Sequence, residues 1–309
     1  MKSLALGLVF ALYAMLAYGA ETLDWAYPIA PNTPPSKDPT PKHVPGSGQA
    51  YTQAQIDDGF NPPDWYPDEH APMPQAVARG DGKAVRGCAL CHLPNGAGHP
   101  DSASLAGLSV PYMMREMEAF KNGERKGVRT AAMIAFAKVI SPEDTRAASE
   151  YYAALKPIAW TKVVETKTVP KSFVGPGNMR LPQADGATEP IGHRIIELPQ
   201  NVELALDRDA HSGFVAYVPP GSITKGKRLV SGAGGKTIAC AICHGPELKG
   251  LGGLPPLAGR SPISIVRQLN DIRTSNRSGG QVELMKQVVA KLDIDDMIAL
   301  AAYLGSLKP

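Results

Sequence analysis

The chain has 309 residues, enough for two modest domains rather than one large core. Hydrophobic residues make up 43% of it and charged residues 20%, which is a globular composition and argues against a disordered chain. The formal net charge of +3 is too close to balance to indicate a nucleic-acid-binding protein. The 29 prolines and 31 glycines argue against long helical bundles over most of the length.

Residues 1–20 have the pattern of an export signal. Lys2 precedes an apolar run of 14 residues ending at Ala17, which is followed by a small-x-small cleavage pattern. The run is short for an uncleaved membrane anchor, which is the alternative interpretation. We therefore predict an exported chain whose signal is removed and, in a bacterial cell, a mature protein that works in the periplasm.

Residues 21–75 form a leader that contains 12 prolines. Repeated proline favours extended, polyproline-like backbone over a packed domain. One interpretation is a flexible spacer. The other is that the aromatic residues Phe60, Trp65 and Tyr66 hold the later half of the leader against the following domain.

The four cysteines lie in two C-x-x-C-H motifs, Cys88–His92 and Cys240–His244. A disulfide scaffold, a zinc site and a thioredoxin-like redox pair are the alternatives to consider for such cysteines. None of them requires a histidine directly after the second cysteine. The motifs are also 152 residues apart, too far for a zinc ribbon, and the chain is too long to need disulfide staples.

C-x-x-C-H is the attachment motif of haem c, and its chemistry explains the spacing. Two thiols one helical turn apart reach the two vinyl groups of one porphyrin, and the adjacent histidine binds the iron from the proximal side. The sequence therefore predicts two covalently bound haem c groups. The predicted thioether residues are Cys88, Cys91, Cys240 and Cys243, and the predicted proximal ligands are His92 and His244.

The two motifs belong to an internal repeat. Residues 88–157 align with residues 240–309 without a gap and share 20 identities in 70 columns. Of the four methionines in the first repeat, only Met133 has a methionine counterpart, Met285, and each lies 45 residues after the first haem cysteine. A thioether is a common second axial ligand of electron-transfer haems, so we predict Met133 and Met285 as the distal ligands. We expect the remaining methionines of these regions, Met113, Met114, Met117 and Met297, to fill core space.

Two pairs of equivalent arginines and five further histidines leave alternatives open. The arginines could contact haem propionates or lie on the solvated surface. The histidines could replace a methionine as an iron ligand, although most surface histidines have no such role. The residues concerned are Arg115, Arg267, Arg125, Arg277, His43, His70, His99, His193 and His211.

The hydrophobic pattern predicts helices around each motif. An amphipathic helix is expected from Leu108 to Lys121, and Ser141 followed by Pro-Glu-Asp is a helix start. The counterpart of that helix begins at Asp293, and helices that lead into the motifs are expected from about Ala76 and about Ile223. Between the repeats, residues 195–198 and 214–218 have the composition of strands, which predicts a small β-rich bridge.

Each repeat resembles a class I cytochrome c domain, and the pair resembles the dihaem cytochrome c4 family. The shared features are C-x-x-C-H, the downstream Leu-Ala-Gly, an arginine, the methionine and a terminal helix with a tyrosine. The resemblance implies a mainly α fold with two tandem class I haem domains joined by a β- and loop-rich linker. The predicted divisions are 1–20 for the signal, 21–75 for the leader, 76–157 for haem domain 1, 158–222 for the linker and 223–309 for haem domain 2.

The expected function is electron transfer without catalysis. With both axial positions filled, neither iron would bind a small-molecule substrate, and the partners would be a membrane-linked dehydrogenase or quinol oxidoreductase and a terminal oxidase or reductase. One alternative is a dihaem enzyme, either a dehydrogenase of small sulfur compounds or a peroxidase. Another is a haem subunit of a larger complex, with the leader as a docking arm.

Overall fold

The computed structural model describes residues 23–32, 34 and 36–309, so the predicted export signal lies outside the described residues. Within them, no helix is both long and apolar enough to cross a membrane. Helices α1 to α6 are Gln53–Ile56, Gln75–Ala78, Ala89–His92, Val110–Lys121, Ala131–Ala137 and Pro142–Ala154. Strands β1 to β6 are Thr161–Glu165, Thr168–Pro170, Ser172–Val174, Arg180–Pro182, Thr188–Pro190 and Ile196–Pro199. Helix α7 is Val202–Leu206, strand β7 is Phe214–Val218, and helices α8 to α12 are Ser222–Val230, Ala241–His244, Pro262–Arg273, Val282–Val289 and Ile294–Ser306.

The long helices of the first repeat begin where the sequence predicts, within two residues. Helix α4 has Ser109 at its N-cap position and a proline in its first turn. At the start of α6 the Ser141 hydroxyl accepts a hydrogen bond from the backbone N–H of Asp144 at 3.0 Å. Both starts follow the expected capping chemistry. The proline of α4 removes one backbone N–H that would lack an acceptor, and the Ser141 hydroxyl supplies an acceptor for another at the start of α6.

The helix that leads into the first motif is shorter than expected. Helix α2 has only four residues because the chain turns at Gly80, whose φ of 64° lies in the left-handed region. The carboxylate of Asp81 then accepts hydrogen bonds from three successive backbone N–H groups, those of residues 83 to 85, each at 2.8 Å. This tight turn carries the chain directly to Cys88.

The second repeat has a larger apolar core, built mainly from α8, α10 and α12. Gly226 allows α8 to approach α12 closely, because a Cβ atom at this position would lie 2.0 Å from the carbonyl oxygen of Ala299. Helix α12 begins with a capping box in which Asp293 and Asp296 each accept the other's backbone N–H. The predicted starts at Ile223 and Asp293 are confirmed within one residue.

The segment between the repeats, residues 158–222, holds the strands and is called the bridge below. Strand β7 lies at the centre of a three-stranded sheet, parallel to β1 and antiparallel to β6. Two short antiparallel pairs, β2 with β5 and β3 with β4, complete it. The strands predicted at 195–198 and 214–218 are confirmed, the first one displaced by one residue. The buried face of the sheet joins the core of the second repeat through Ala216 and Val218.

The leader packs on the rest of the chain in its described part, so the interpretation as a flexible spacer is wrong. Trp65 is buried, and its indole N–H donates to the carbonyl oxygen of Asp207 in the bridge at 2.7 Å. Tyr66 stacks on His211 with ring centroids 3.7 Å apart. At its other end the leader inserts Trp25 into the core of the second repeat. The later half of the leader therefore packs mainly on the bridge and not mainly on the first repeat. The sequence alone could not show this, because these contacts join residues that are far apart in the chain.

Equivalent segments of the two repeats meet in an antiparallel arrangement. The N–H of Lys126 donates to the carbonyl of Asn276, and the N–H of Ser278 donates to the carbonyl of Glu124, both at 2.8 Å. These two bonds exchange under the offset of 152 residues, so the contact has local two-fold symmetry.

Two candidate haem sites

Both motif histidines are held by the same contact. The Nδ1 atom of His92 lies 2.8 Å from the carbonyl oxygen of Ala103, and the Nδ1 atom of His244 lies 2.8 Å from that of Pro255. A carbonyl only accepts, so Nδ1 carries the proton and Nε2 keeps its lone pair. Burial lowers the pKa of both imidazoles, which keeps them neutral. A neutral imidazole with a fixed ring and a free Nε2 is a suitable iron ligand.

The cysteines of each motif lie on one helical turn. The N–H of His92 donates to the carbonyl of Cys88, and the N–H of His244 donates to that of Cys240, both at 2.9 Å. Among the described residues, these four cysteines form no disulfide bond. Burial raises the pKa of Cys88 to about 12 and that of Cys240 to about 11. A thioredoxin-like redox pair requires the opposite shift, so the surroundings of these thiols do not favour that alternative.

This donor set fits haem c at both motifs. Two cysteine side chains on one helical turn and one neutral imidazole with a free Nε2 are the groups that covalent attachment and proximal ligation require. The predicted distal methionines occupy equivalent helices, Met133 on α5 and Met285 on α11, and both are partly buried. By contrast Met113 and Met297 are buried in the cores of the two repeats, as expected for residues that fill space.

The structure places the four equivalent arginines at the boundary between the repeats, which neither sequence interpretation anticipated. Arg125 and Arg277 both donate to the carboxylate of Glu116, at 2.7 and 2.8 Å. Both also donate to the side-chain oxygen of Gln268, the counterpart of Glu116. Although burial alone would raise the pKa of the Glu116 carboxyl, the two guanidinium groups hold it below its usual value.

The other arginine pair reaches across the same boundary. Arg115 donates to the carbonyl of Gly253 at 2.9 Å, and Arg267 donates to the carbonyl of Pro100 at 2.8 Å. Each arginine therefore contacts the loop that follows the motif of the opposite repeat. The buried Nη2 of Arg267 and Nε of Arg277 have no acceptor among the described residues, so both retain donors that suit a carboxylate such as a haem propionate.

Three of the additional histidines pair with carboxylates away from the motifs. His70 lies 3.1 Å from Asp64, His193 lies 2.8 Å from Asp295, and His211 lies 2.7 Å from Glu69. His99 is instead partly buried in the loop after the first motif, and desolvation lowers its pKa to about 3. Sequence reasoning missed four site residues, although each pair is separated by the repeat offset of 152 residues. They are Glu116 and Gln268, and the carbonyl acceptors Ala103 and Pro255.

Known proteins similar to this chain include cytochromes. The cytochrome c family model matches residues 223–308. Cytochrome c-554(548) of Halomonas halodenitrificans is 33% identical over 79 residues, covering 25% of this chain and 94% of that protein. Cytochrome c4 of Stutzerimonas stutzeri is 32% identical over 138 residues, covering 40% of this chain and 65% of that protein. The thiosulfate dehydrogenase electron acceptor of Thiomonas intermedia is 27% identical over 222 residues, covering 71% of this chain and 77% of that protein.

A similar solved structure is that of thiosulfate dehydrogenase (TsdBA) from Marichromatium purpuratum, with a TM-score of 0.50 and 27% sequence identity. The match covers 74% of this chain and 38% of that one. The chain thus spans less than two thirds of the matched cytochrome c4 and of this structure.

The alignment with almost the whole of cytochrome c-554(548) shows that the chain belongs to the class I cytochrome c family. With its two attachment motifs and its likeness to cytochrome c4, it is a cytochrome c4-like member that binds two haem c groups covalently. Its described residues form a mostly helical fold.

Proposed function

We propose that the protein is a periplasmic carrier of single electrons with two closed haem sites. Each repeat, with the helix that leads into it, would form one haem domain. In the first, Cys88 and Cys91 attach the porphyrin, and His92 and Met133 bind the iron. In the second the corresponding residues are Cys240, Cys243, His244 and Met285.

The observation that supports this proposal best is the hydrogen bond that fixes the motif histidine in both repeats. In both repeats the imidazole donates its Nδ1 proton to a carbonyl eleven residues further along, at the same distance of 2.8 Å. The hydrogen bond fixes the ring orientation and the tautomer, and it makes Nε2 more basic. Such a fixed ligand suits outer-sphere electron transfer, because a ligand that does not move when the iron changes its oxidation state keeps the reorganisation energy low.

Haem c supplies a reversible one-electron iron couple when it is bound. The chain then has three tasks. His92 and Met133 in the first repeat, and His244 and Met285 in the second, would hold the iron and leave no position for a substrate. Its four cysteine thiols would become thioethers, which hold the group in place. Its arginines at the boundary between the repeats bring two like domains into contact.

The similar proteins indicate which partners to test first. One is named as an electron acceptor of thiosulfate dehydrogenase, and the similar structure is itself a thiosulfate dehydrogenase. We propose a dehydrogenase of this kind, or a quinol-linked enzyme, as the donor, and a terminal oxidase or reductase as the acceptor.

The likeness to the thiosulfate dehydrogenase structure also supports a second candidate, a dihaem enzyme. Such an enzyme needs an open or exchangeable axial position. The optical spectrum of the haem-loaded protein separates the two proposals. A carrier should show two haems per chain, a low-spin spectrum, the full far-red methionine–iron band and no change with cyanide. A high-spin fraction or rapid cyanide binding would instead favour the enzyme and overturn the carrier.

A further inference from the structure

A cavity of about 210 Å³ lies beside the first attachment motif, where the leader, the first repeat and the bridge meet. Gln53 of the leader, Leu93 and His99 of the first repeat, and Trp160 and Phe214 of the bridge all line it. The cysteines and iron ligands proposed above for the first repeat are not among its lining residues. The cavity is therefore separate from the candidate haem site, and it depends on the two segments that lie outside the repeats.

Leu93, which directly follows the motif histidine, has a backbone conformation that leucine rarely adopts. Its φ is 62° and its ψ is 157°, whereas the equivalent residue of the second repeat is Gly245, with φ 81° and ψ 159°. This region of backbone conformation suits glycine, and a residue with a Cβ atom is strained there. The Leu93 side chain is nevertheless buried and packs in one cluster with Trp160 and Phe214. The first repeat thus accepts backbone strain at a position whose side chain forms part of the cavity wall.

Three buried polar atoms of the lining residues have no hydrogen-bond partner among the described residues. They are Nδ1 of His99, Nε1 of Trp160 and Oγ of Ser212. Buried polar side-chain atoms are usually paired in folded proteins, so three such atoms around one cavity call for an explanation. The indole N–H only donates, while the hydroxyl and the imidazole donate or accept. A ligand hydroxyl, which both donates and accepts, would suit this set.

The apolar part of the wall favours an aromatic ring. The rings of Trp160 and Phe214 have their centroids 6.0 Å apart and their planes inclined by 59°. Met179 and Leu206 line the same cavity. Aromatic rings gain free energy from tilted contacts with one another and from contacts with a thioether. Since an apolar cavity of about 150 Å³ holds benzene, this cavity has room for one ring with one or two small substituents.

The charged lining residues argue against an ionic ligand. They are Asp57, Arg208 and Asp209, and each is already held by hydrogen bonds. The two carboxylates accept from a side-chain amide at 3.1 Å and from a backbone N–H at 2.8 Å. The guanidinium donates to two backbone carbonyls, at 2.7 and 3.1 Å. Two carboxylates against one guanidinium would repel an anion, and a cation would have no free carboxylate to itself, so the lining suits a neutral molecule.

We propose that this cavity binds a neutral monocyclic phenol. The aromatic ring would pack on Trp160 and Phe214, and the phenolic hydroxyl would pair with the unpartnered side chains of the wall. The bound phenol would also contact Leu93, next to the motif histidine. No covalent bond is made or broken. The proposal goes beyond electron transfer and does not depend on it, because the lining residues are not those that would attach the haem.

The direct test is isothermal titration calorimetry of the haem-loaded protein with three probes of similar size: 4-methylphenol, toluene and 4-methylbenzoate. We expect one molecule of 4-methylphenol to bind per chain, toluene to bind roughly tenfold more weakly because it lacks the hydroxyl, and the anion not to bind. Absence of 4-methylphenol binding, or equal binding of the anion, would overturn the proposal. The optical spectrum is recorded during the titration, and loss of the far-red methionine–iron band would place the phenol on a haem iron and also overturn it.

Variants of the wall test the location of the site. Ala205→Phe fills the cavity with a side chain from α7 and should abolish binding of 4-methylphenol. Ala184→Phe makes the same substitution at an exposed alanine of the bridge and should leave binding unchanged. Equal effects of these two variants would contradict the proposal.

Ser212→Ala is a milder second test, because it removes only the hydroxyl from the wall. We expect it to weaken 4-methylphenol binding about fivefold and to leave toluene binding unchanged. Equal loss for both probes, or no loss for either, would show that the hydroxyl of Ser212 does not contact the phenol and would contradict the proposed site. Binding is measured without a redox partner, so failure of this site and failure of the carrier function remain distinguishable.

Discussion

Arg125 and Arg277, which occupy the same position in the two repeats, lie opposite each other in an antiparallel β-bridge and share the carboxylate of Glu116. The residue of the second repeat that is equivalent to Glu116 is Gln268, whose side chain is neutral. A single buried carboxylate thus serves two guanidinium groups at the boundary between the repeats. Removing one member of such a buried set leaves the others uncompensated, so this cluster is expected to control how firmly the repeats associate.

Glu116→Gln should lower the free energy of unfolding of the haem-loaded protein by about 3 kcal/mol, because two buried guanidinium groups lose the carboxylate to which both donate hydrogen bonds. Denaturant unfolding followed by the Soret band measures this change. The matched variant Gln268→Glu gives each arginine its own carboxylate and should be at least as stable as the natural protein. Equal destabilisation by both variants would show that side-chain shape, rather than charge, determines the stability of this contact.

Acid should weaken the same cluster. The pKa of Glu116 is held below its ordinary value of 4.5 in the folded protein, so its contribution to stability is complete above pH 4.5 and is lost as the pH falls through the folded-state pKa. Unfolding measured between pH 6 and pH 3 should therefore show a steeper acid loss for the natural protein than for Glu116→Gln. Parallel curves would argue against this assignment.

Glu197 should show the opposite pH dependence. This carboxyl is buried, accepts the N–H of Ile263 at 3.0 Å and the hydroxyl of Ser261, and burial raises its pKa above 4.5. A carboxyl with a raised folded-state pKa loses stabilising free energy as the pH rises through the range between the unfolded and folded values. Glu197→Gln, which cannot ionise, should therefore gain stability relative to the natural protein as the pH rises from 4 towards 7. An unchanged difference across that range would contradict the prediction.

Met133→Ala should remove one distal ligand. We expect the far-red methionine–iron band to lose the contribution of one haem, and cyanide to bind to that haem, while the second haem keeps its spectrum. Met113→Ala is the control, because Met113 is buried in the core of the first repeat. It should retain the full band and lower the unfolding free energy by about 2–5 kcal/mol. An intact band in Met133→Ala would assign the distal ligand elsewhere.

Trp65 should hold the leader on the bridge. Trp65→Ala removes a buried indole and its hydrogen bond to Asp207, and we expect a loss of about 3–5 kcal/mol and rapid proteolysis within the leader. Trp65→Phe keeps most of the packing and loses only the N–H donor, so it should cost about 1 kcal/mol. Ile29→Ala, at an exposed position, is the control and should change neither stability nor cleavage. A protease-resistant leader in Trp65→Ala would show that other contacts anchor it.

The helix starts could be predicted where residues close together in the chain determine them. Ser141 begins α6 because its hydroxyl satisfies a backbone donor three residues on, and Asp293 begins α12 for the same reason. The short α2 was not predictable to the same degree, because the turn at Gly80 and Asp81 ends it before the apolar pattern does. Leader packing could not be predicted because Trp65 meets Asp207 only after a separation of 142 residues.

The sequence by itself determined that the chain carries two haem c attachment motifs. Cys88, Cys91 and His92 are spaced so that they lie on one helical turn, and the same spacing recurs 152 residues later in the second motif. The same offset relates Met133 to Met285, which we therefore predict as the distal ligands. Only the tertiary structure decided that Leu90 is covered while Ile242 is exposed. Burial depends on segments that are distant in sequence, here the leader and the bridge, and the free energy of such packing is absent from any local pattern of residues.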